Sequence, residues 1–418
     1  MGASLRLYRA SWVLPVVSAP IRDGWVAVDG LTVAGVGGPA DDPSRTGRFA
    51  GDVSDLGDAA LMPALVNAHT HLELSWLRGR SRPASSFLGW VSGMMRERLQ
   101  SPEGRDDSYV RSAMALALEE MKAAGTGLVG DISNSLAHLD LLGASGFEGL
   151  VFHEIIKFRA GDASGFVEHA RRRIDEAAPA GGWRVALAPH APYSVAPSVF
   201  QALAAARPAL RDAHMSVHIA ESPEEIEFIG RGGGGWPDVL KRLGAWDPDW
   251  RAPRCSPVAY LDRLGFWDRR TLAVHAVQAE AGDLGRLAEL GVTVVTCPRS
   301  NAWVGAGTPP VEAFYRSGVR VAIGTDSLAS VADLNVFNEL KELGQIAPGV
   351  KPADLLRSAT LAGAEALGFG ATHGALAPGR RAVMIAVAVP PGTADVEQYL
   401  VSGIEPGKVR PIALSPPC

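Results

Sequence analysis

Along the middle of the chain, short apolar runs recur, and helix-forming stretches follow them. The runs are ALVNAH from residue 64, GLVGDIS from 127, GLVFHEII from 149, RVALAPH from 184, MSVHIAE from 215, LAVHAV from 272, VTVVTCP from 292 and VRVAIGTD from 319. Rich in Val, Leu and Ile and largely unbroken by polar residues, they read as strands buried on both faces. Stretches such as SYVRSAMALALEEMKAAG from 108 and DLGRLAELG from 283 read as helices between them. Eight strand–helix units over roughly 250 to 300 residues predict a closed (β/α)8 TIM-like barrel, an α/β fold. An open doubly wound sheet is the competing arrangement, and the absence of G-x-G-x-x-G after the first run argues against it.

The two ends are patterned differently. Residues 4–38 and 374–392 are short β-rich pieces broken by Pro, Gly and Asp. Such strands cannot bury a face alone. The prediction is therefore one small β-sandwich domain from residues 1–58 and 377–418, with the barrel over 59–376.

Polar residues collect where the apolar runs end. His69 and His71, His190, His218 with Glu221, His275, and Asp326 all lie at carboxyl ends of predicted strands. In a barrel those ends converge on one face, where the active site lies. One such histidine is ordinarily a hydrogen-bonded packing residue, but five of the chain's ten in this position point to a shared task. His69 and His71, two apart on a strand, face the same side and can reach one ion. With His218 and Asp326 they make a His3Asp set suited to one divalent metal ion, Zn2+ or Fe2+. Glu221 is three past His218 and would face away on a regular strand, so a proton-shuttling role requires the chain to turn there. His275 is placed to hold the attacking water.

Composition changes the picture little. The 418 residues are 47% hydrophobic and 20% charged, with 40 basic against 45 acidic residues and a net charge of −5. No basic run suits nucleic acid or a membrane surface, which leaves a small-molecule substrate as the expected partner. Cys255, Cys297 and Cys418 are too few and scattered for a disulfide framework, which fits a cytoplasmic setting.

NAHTHLELS, PHAPYSV, HIAE, VHAV, CPRSN and GTDS, in that order over about residues 60–380, resemble the amidohydrolase superfamily in its mononuclear nucleoside deaminase branch. The resemblance implies His69, His71, His218 and Asp326 as metal ligands, Glu221 as proton shuttle, His275 as water-orienting residue and His190 as a substrate contact. HTHLELS, FLGWV at 87–91, VFHEII and CPRSNAWVGAGTPP look most similar to aminodeoxyfutalosine deaminases of the alternative menaquinone pathway. That implies hydrolysis of 6-amino-6-deoxyfutalosine to futalosine and ammonia, by attack at C6 of the purine. A homodimer is compatible with this reading. The pattern departs at Val383, where Asp is usual, and Lys157 follows the third run rather than the fourth, so a lysine-bridged second metal is not expected.

Further residues carry weaker expectations. Glu73 or Glu154 could take a substrate hydroxyl. Arg299, with Ser300 and Asn301 at the seventh strand end, could meet a substrate carboxylate bidentately. Tyr193 and Trp76 could stack on a purine, and GRGGGGWPDVL at 230–240 reads as a lid or linker, lacking the GK[ST] of a phosphate loop. Other readings are a methylthioadenosine, S-adenosylhomocysteine or guanine deaminase, a triazine chlorohydrolase, or a binding or structural barrel without catalysis. Glu221 and His275 argue against the last.

Overall fold

A computed structural model of the chain describes residues 5–45, 49–177 and 179–413, so Cys418 lies outside the described residues. Five strands come first: β1 (Leu5–Val13), β2 (Ile21–Asp29), β3 (Thr32–Gly37), β4 (Asp52–Asp55) and β5 (Ala59–Pro63). The eight apolar runs follow as β6 (Leu65–Thr70), β7 (Thr126–Ser133), β8 (Glu148–Ile155), β9 (Trp183–Pro189), β10 (Met215–Ile219), β11 (Thr271–His275), β12 (Thr293–Thr296) and β13 (Arg320–Ile323). Two late strands are β14 (Met384–Ala388) and β15 (Val409–Pro411).

Strands β6 to β13 lie side by side in chain order in one eight-stranded sheet. The registers between β8 and β13 are all parallel. Every residue of β6, β10, β11 and β12 is buried, which is why these runs lack the alternation of a half-exposed strand. Helices fall where the polar stretches predict them, including Asp107–Ala123 and Ala281–Glu289. The fold is the predicted (β/α)8 barrel.

Strands from both chain ends share a second sheet, ordered β15-β14-β5-β1-β2-β3, with β4 paired to β1. Its core includes Val13, Val26, Val28, Leu61, Met384 and Ala386. By internal contacts the chain divides into two compact units: residues up to 67 with 119–128 and from 335 onward, and residues 68–118 with 129–334.

The barrel is drawn together where β13 ends beside β6. The amides of Thr325 and Asp326 both donate to the carbonyl of His69, at 3.1 and 3.0 Å. Gly324 makes this approach possible, because a Cβ there would lie 2.7 Å from both Cβ and the carbonyl oxygen of His69. Gly324→Ala is therefore expected to displace His69 and weaken divalent-metal binding by about 10- to 100-fold, the size found when a ligand's support is altered. Chelator competition measures this, and parental affinity would show that the contact does not hold His69.

Candidate active site

Four histidine rings crowd the carboxyl ends of β6, β10 and β11. The ring centroids of His69 lie 4.9 Å from His71, 5.0 Å from His218 and 5.7 Å from His275. One ligand nitrogen each from His69, His71 and His218 lies within 4.8 Å of the others. Nε2 of His71 is 3.2 Å from Nε2 of His69, and Asp326 Oδ1 is 3.6 Å from the first and 3.9 Å from the second.

These donors fit a divalent ion. Burial, the leading cause, drives the His69 ring well below its ordinary pKa and takes His71 and His218 down to about 4, so the rings are neutral and offer lone pairs. His218 Nδ1 donates to the carbonyl of His190 at 2.9 Å, which leaves Nε2 as its lone-pair nitrogen. Asp326 Oδ2 accepts from Ser300 Oγ at 2.5 Å and Ser330 Oγ at 3.0 Å, leaving Oδ1 toward the histidines. Buried lone pairs facing one another repel, and a cation between them resolves the repulsion. Glu154, His190 and His218 form a second close group, sharing His218 with the first.

The odd offset of Glu221 has a local explanation. Ala220, just past β10, has a φ of 47°, a left-handed turn that a regular strand lacks. Buried Glu225 clamps the turn, its two carboxylate oxygens accepting from the amides of Ala220 at 3.0 Å and Glu221 at 2.9 Å. Glu225 lies in the first turn of the helix Pro223–Arg231, which is capped by Ser222. Burial pushes its carboxyl up to about 7 against the pull of those amides. So held, Glu221 brings Oε1 to 3.5 Å from His275 Nε2. Burial first, then the neighbouring Asp326, raises its carboxyl well above the ordinary range, an effect that a bound cation would oppose. His275 and Asp326 are themselves left-handed, with φ of 75° and 61°, so the strand ends at this face are strained where the chemistry collects.

A cavity of about 520 Å3 opens onto these groups. His71, His190, His218, Glu221, His275 and Asp326 line it, with Glu154 and an aromatic wall that includes Phe87, Trp90, Tyr193 and Trp236. Tyr193 and Trp236 stack at 3.9 Å, 13° from parallel. Glu154 Oε2 accepts from Asn134 Nδ2 at 2.8 Å, while its buried Oε1 has no hydrogen-bond partner among the described residues.

Four expected substrate contacts are placed elsewhere. Past His71 the chain enters a 3-10 helix, Leu72–Leu77, so Glu73 does not share a strand face with His71. Its carboxylate accepts from Ser133 Oγ, the Asn134 amide at 3.1 Å and Ser135 Oγ at 2.7 Å. Arg299 forms a bidentate pair with Asp333 at 2.9 and 2.8 Å, the structural salt bridge rather than a substrate anchor. Asn301 is fully buried, with Nδ2 3.0 Å from His275 Nδ1. Trp76 is buried, with Arg80 over its ring at 5.9 Å. Among the described residues, none of these four lines the cavity.

Other residues at the site escape a reading from strand ends. Arg98, Lys157 and Arg159 all line the cavity, and none has a carboxylate partner among the described residues. Trp236 reaches it because the glycine run is a tight connection between two helices: Gly232 caps Pro223–Arg231 at φ 81°, and Gly235 caps Trp236–Arg242 at φ 78°. Ser300 and Glu225 act behind the cavity, where only the register between elements could reveal them.

Residues 60–409 match the amidohydrolase family. An aminodeoxyfutalosine deaminase of Deinococcus radiodurans is 33% identical over 363 residues, 82% of this chain and 81% of that protein. A 5-methylthioadenosine/S-adenosylhomocysteine deaminase of Moorella thermoacetica is 31% identical over 409 residues, 93% and 88% of the two chains. Among solved structures, an adenosine deaminase from Xanthomonas campestris with bound zinc superposes with a TM-score of 0.79 at 30% identity, covering 97% of this chain and 90% of that one. The chain belongs to the amidohydrolase family. By class it is a hydrolytic deaminase.

The Glu225 clamp makes a sharp expectation. In Glu225→Gln an amide replaces one of two oxygens that each accept a backbone N–H, so the 220–221 turn loosens. Misplacing a reacting group by about 1 Å costs on the order of 10²-fold in rate, so kcat should fall by about that factor with metal content unchanged. Steady-state kinetics beside elemental analysis test it, and parental kcat would remove Glu225 from the site's support.

Proposed function

We propose that this deaminase acts on the purine ring of a nucleoside bearing a remote carboxylate, with aminodeoxyfutalosine as the preferred substrate. The observation that carries the reading is the trio Arg98, Lys157 and Arg159, none with a carboxylate partner among the described residues, along the same cavity as the histidine cluster. The carboxyphenyl end of aminodeoxyfutalosine would find there the cationic anchor expected of Arg299. Methylthioadenosine carries no charge to match it, and S-adenosylhomocysteine would bring, beside its carboxylate, an ammonium group toward three cations. The similarity to the Deinococcus radiodurans enzyme supports the same choice.

In this reading His69, His71, His218 and Asp326 hold one divalent ion, zinc being favoured by the zinc-bearing relative. Such an ion supplies Lewis acidity and a nucleophile at neutral pH. Glu221 takes the proton from the attacking water and returns it to N1 of the ring; the proton of the resulting C6 hydroxyl then passes to the amino group, so that ammonia leaves as the C6 carbonyl forms. His275 orients the water. Glu154 accepts from a ribose hydroxyl through Oε1, His190 contacts the base, and the Tyr193–Trp236 wall excludes solvent.

Glu221→Gln should lower turnover by about 10²- to 10⁴-fold, the usual contribution of general acid–base catalysis, while one ion per chain remains bound. His69→Ala, by contrast, should lose activity together with the metal. Ammonia release and metal content measured on both variants decide this. Glu221→Gln retaining more than about a tenth of parental turnover would overturn the shuttle role.

A substrate panel separates the substrate from the chemistry. The parent should deaminate aminodeoxyfutalosine with a kcat/KM at least about tenfold above methylthioadenosine, a difference of about 1.4 kcal/mol. The double variant Arg98→Ala, Arg159→Ala should erase that preference through KM. Equal or better use of methylthioadenosine by the parent would refute the carboxylate reading and leave the deaminase intact.

A further inference from the structure

Asn301 lies on the helix Pro298–Trp303, which follows β12. Its amide donates to the carbonyl of Cys297 at 3.0 Å, and its own carbonyl accepts from the amide of Ala306 at 2.9 Å, so its backbone is held on both sides. Its side chain is fully buried and reaches His275 on the ring nitrogen away from Glu221. Nδ1 of His275 meets Asn301 Nδ2 at 3.0 Å, whereas Nε2 faces Glu221 Oε1 at 3.5 Å.

We propose that Asn301 is a positioning residue that fixes the tautomer of His275, keeping the ring proton on Nε2 so that His275 meets the reacting water as a donor. A carboxamide can donate or accept, so the contact alone does not set the direction. The other side of the ring does. With a divalent cation beside it keeping Glu221 ionised, a lone pair on Nε2 would confront a carboxylate oxygen, two acceptors face to face in a buried space. A proton on Nε2 removes that repulsion and leaves Nδ1 as an acceptor. Among the described residues, the only donor placed to meet Nδ1 is the amide of Asn301.

The consequence is a division of labour between two neighbouring groups. His275 cannot take the proton of the attacking water, because the nitrogen facing the site already carries one. That transfer belongs to Glu221 alone, and His275 contributes orientation and a hydrogen bond to developing negative charge. The inference rests on His275 facing the reacting water, but its first readout needs no substrate.

The test uses the full-length, zinc-loaded protein labelled with 15N-histidine. Two-bond proton–nitrogen correlation spectra report the tautomer, with His275 assigned by the signals lost in His275→Gln. The parent should show a neutral ring protonated at Nε2. Asn301→Asp, of the same shape but able only to accept, should draw the proton to Nδ1 and lower kcat by about 10²-fold, as for loss of a transition-state donor. KM should stay within about threefold, since no ground-state contact with substrate is lost. Asn301→Ser, which keeps a donor, should retain the Nε2 tautomer. A parent ring protonated at Nδ1 overturns the proposal, as does an Asn301→Asp protein with parental kcat or an unchanged tautomer. Should Asn301→Asp fail to fold, the parent and Asn301→Ser spectra decide.

Discussion

Electron pairs with nothing between them repel, and the carboxyl ends of β6, β10 and β13 bring several into one buried space. Neutral His69, His71 and His218 and the free oxygen of Asp326 all approach within a few ångströms. A divalent cation between them would satisfy them together, and much of the surrounding structure keeps them convergent. Backbone amides of 325 and 326 fasten β13 to His69, the carbonyl of His190 orients His218, and two serines hold the far oxygen of Asp326. The strained turns at Ala220, His275 and Asp326 persist because these supports over-determine them.

Most of the barrel was legible in the chain because a strand buried on both faces leaves a plain trace: four to eight apolar residues, β-branched and bounded by polar ones. The clustered histidines were legible for a related reason, since a polar residue closing such a run has few purposes. Residues outside the strands left no comparable signal. Glu73 looked like a neighbour of His71 only while the strand was taken to continue; the turn into a 3-10 helix sends its carboxylate to cap the 133–135 loop instead.

Arg299 shows a different failure of sequence reasoning. Its place after a barrel strand is right for a ligand contact, but Asp333, far along the chain, meets it with ideal bidentate geometry. The cations that do line the cavity come from the helix Phe87–Gln100 and the segment beyond β8, where a lone Arg or Lys is indistinguishable from ordinary surface charge. Asn301 was placed at the correct end of β12, but which way its side chain pointed depended on the register of β11 beside it. Pairing between distant elements, not local pattern, decided each of these.

The glycine-linked helix that carries Trp236 has a consequence for how this protein can change. The histidine cluster lies at strand ends, fixed by hydrogen bonds deep in the barrel, whereas much of the outer cavity wall belongs to two surface helices, Phe87–Gln100 and Trp236–Arg242. Gly232, Gly234 and Gly235 set the entry to the second, and at 234 a side chain would collide with the Glu224 carbonyl at 2.3 Å. The joint is thus constrained while the faces of the helices are free to vary. Substitutions there can reshape what the cavity accepts without disturbing a single residue of the histidine cluster, so new substrate preferences can be sampled by descendants that keep their hydrolytic power.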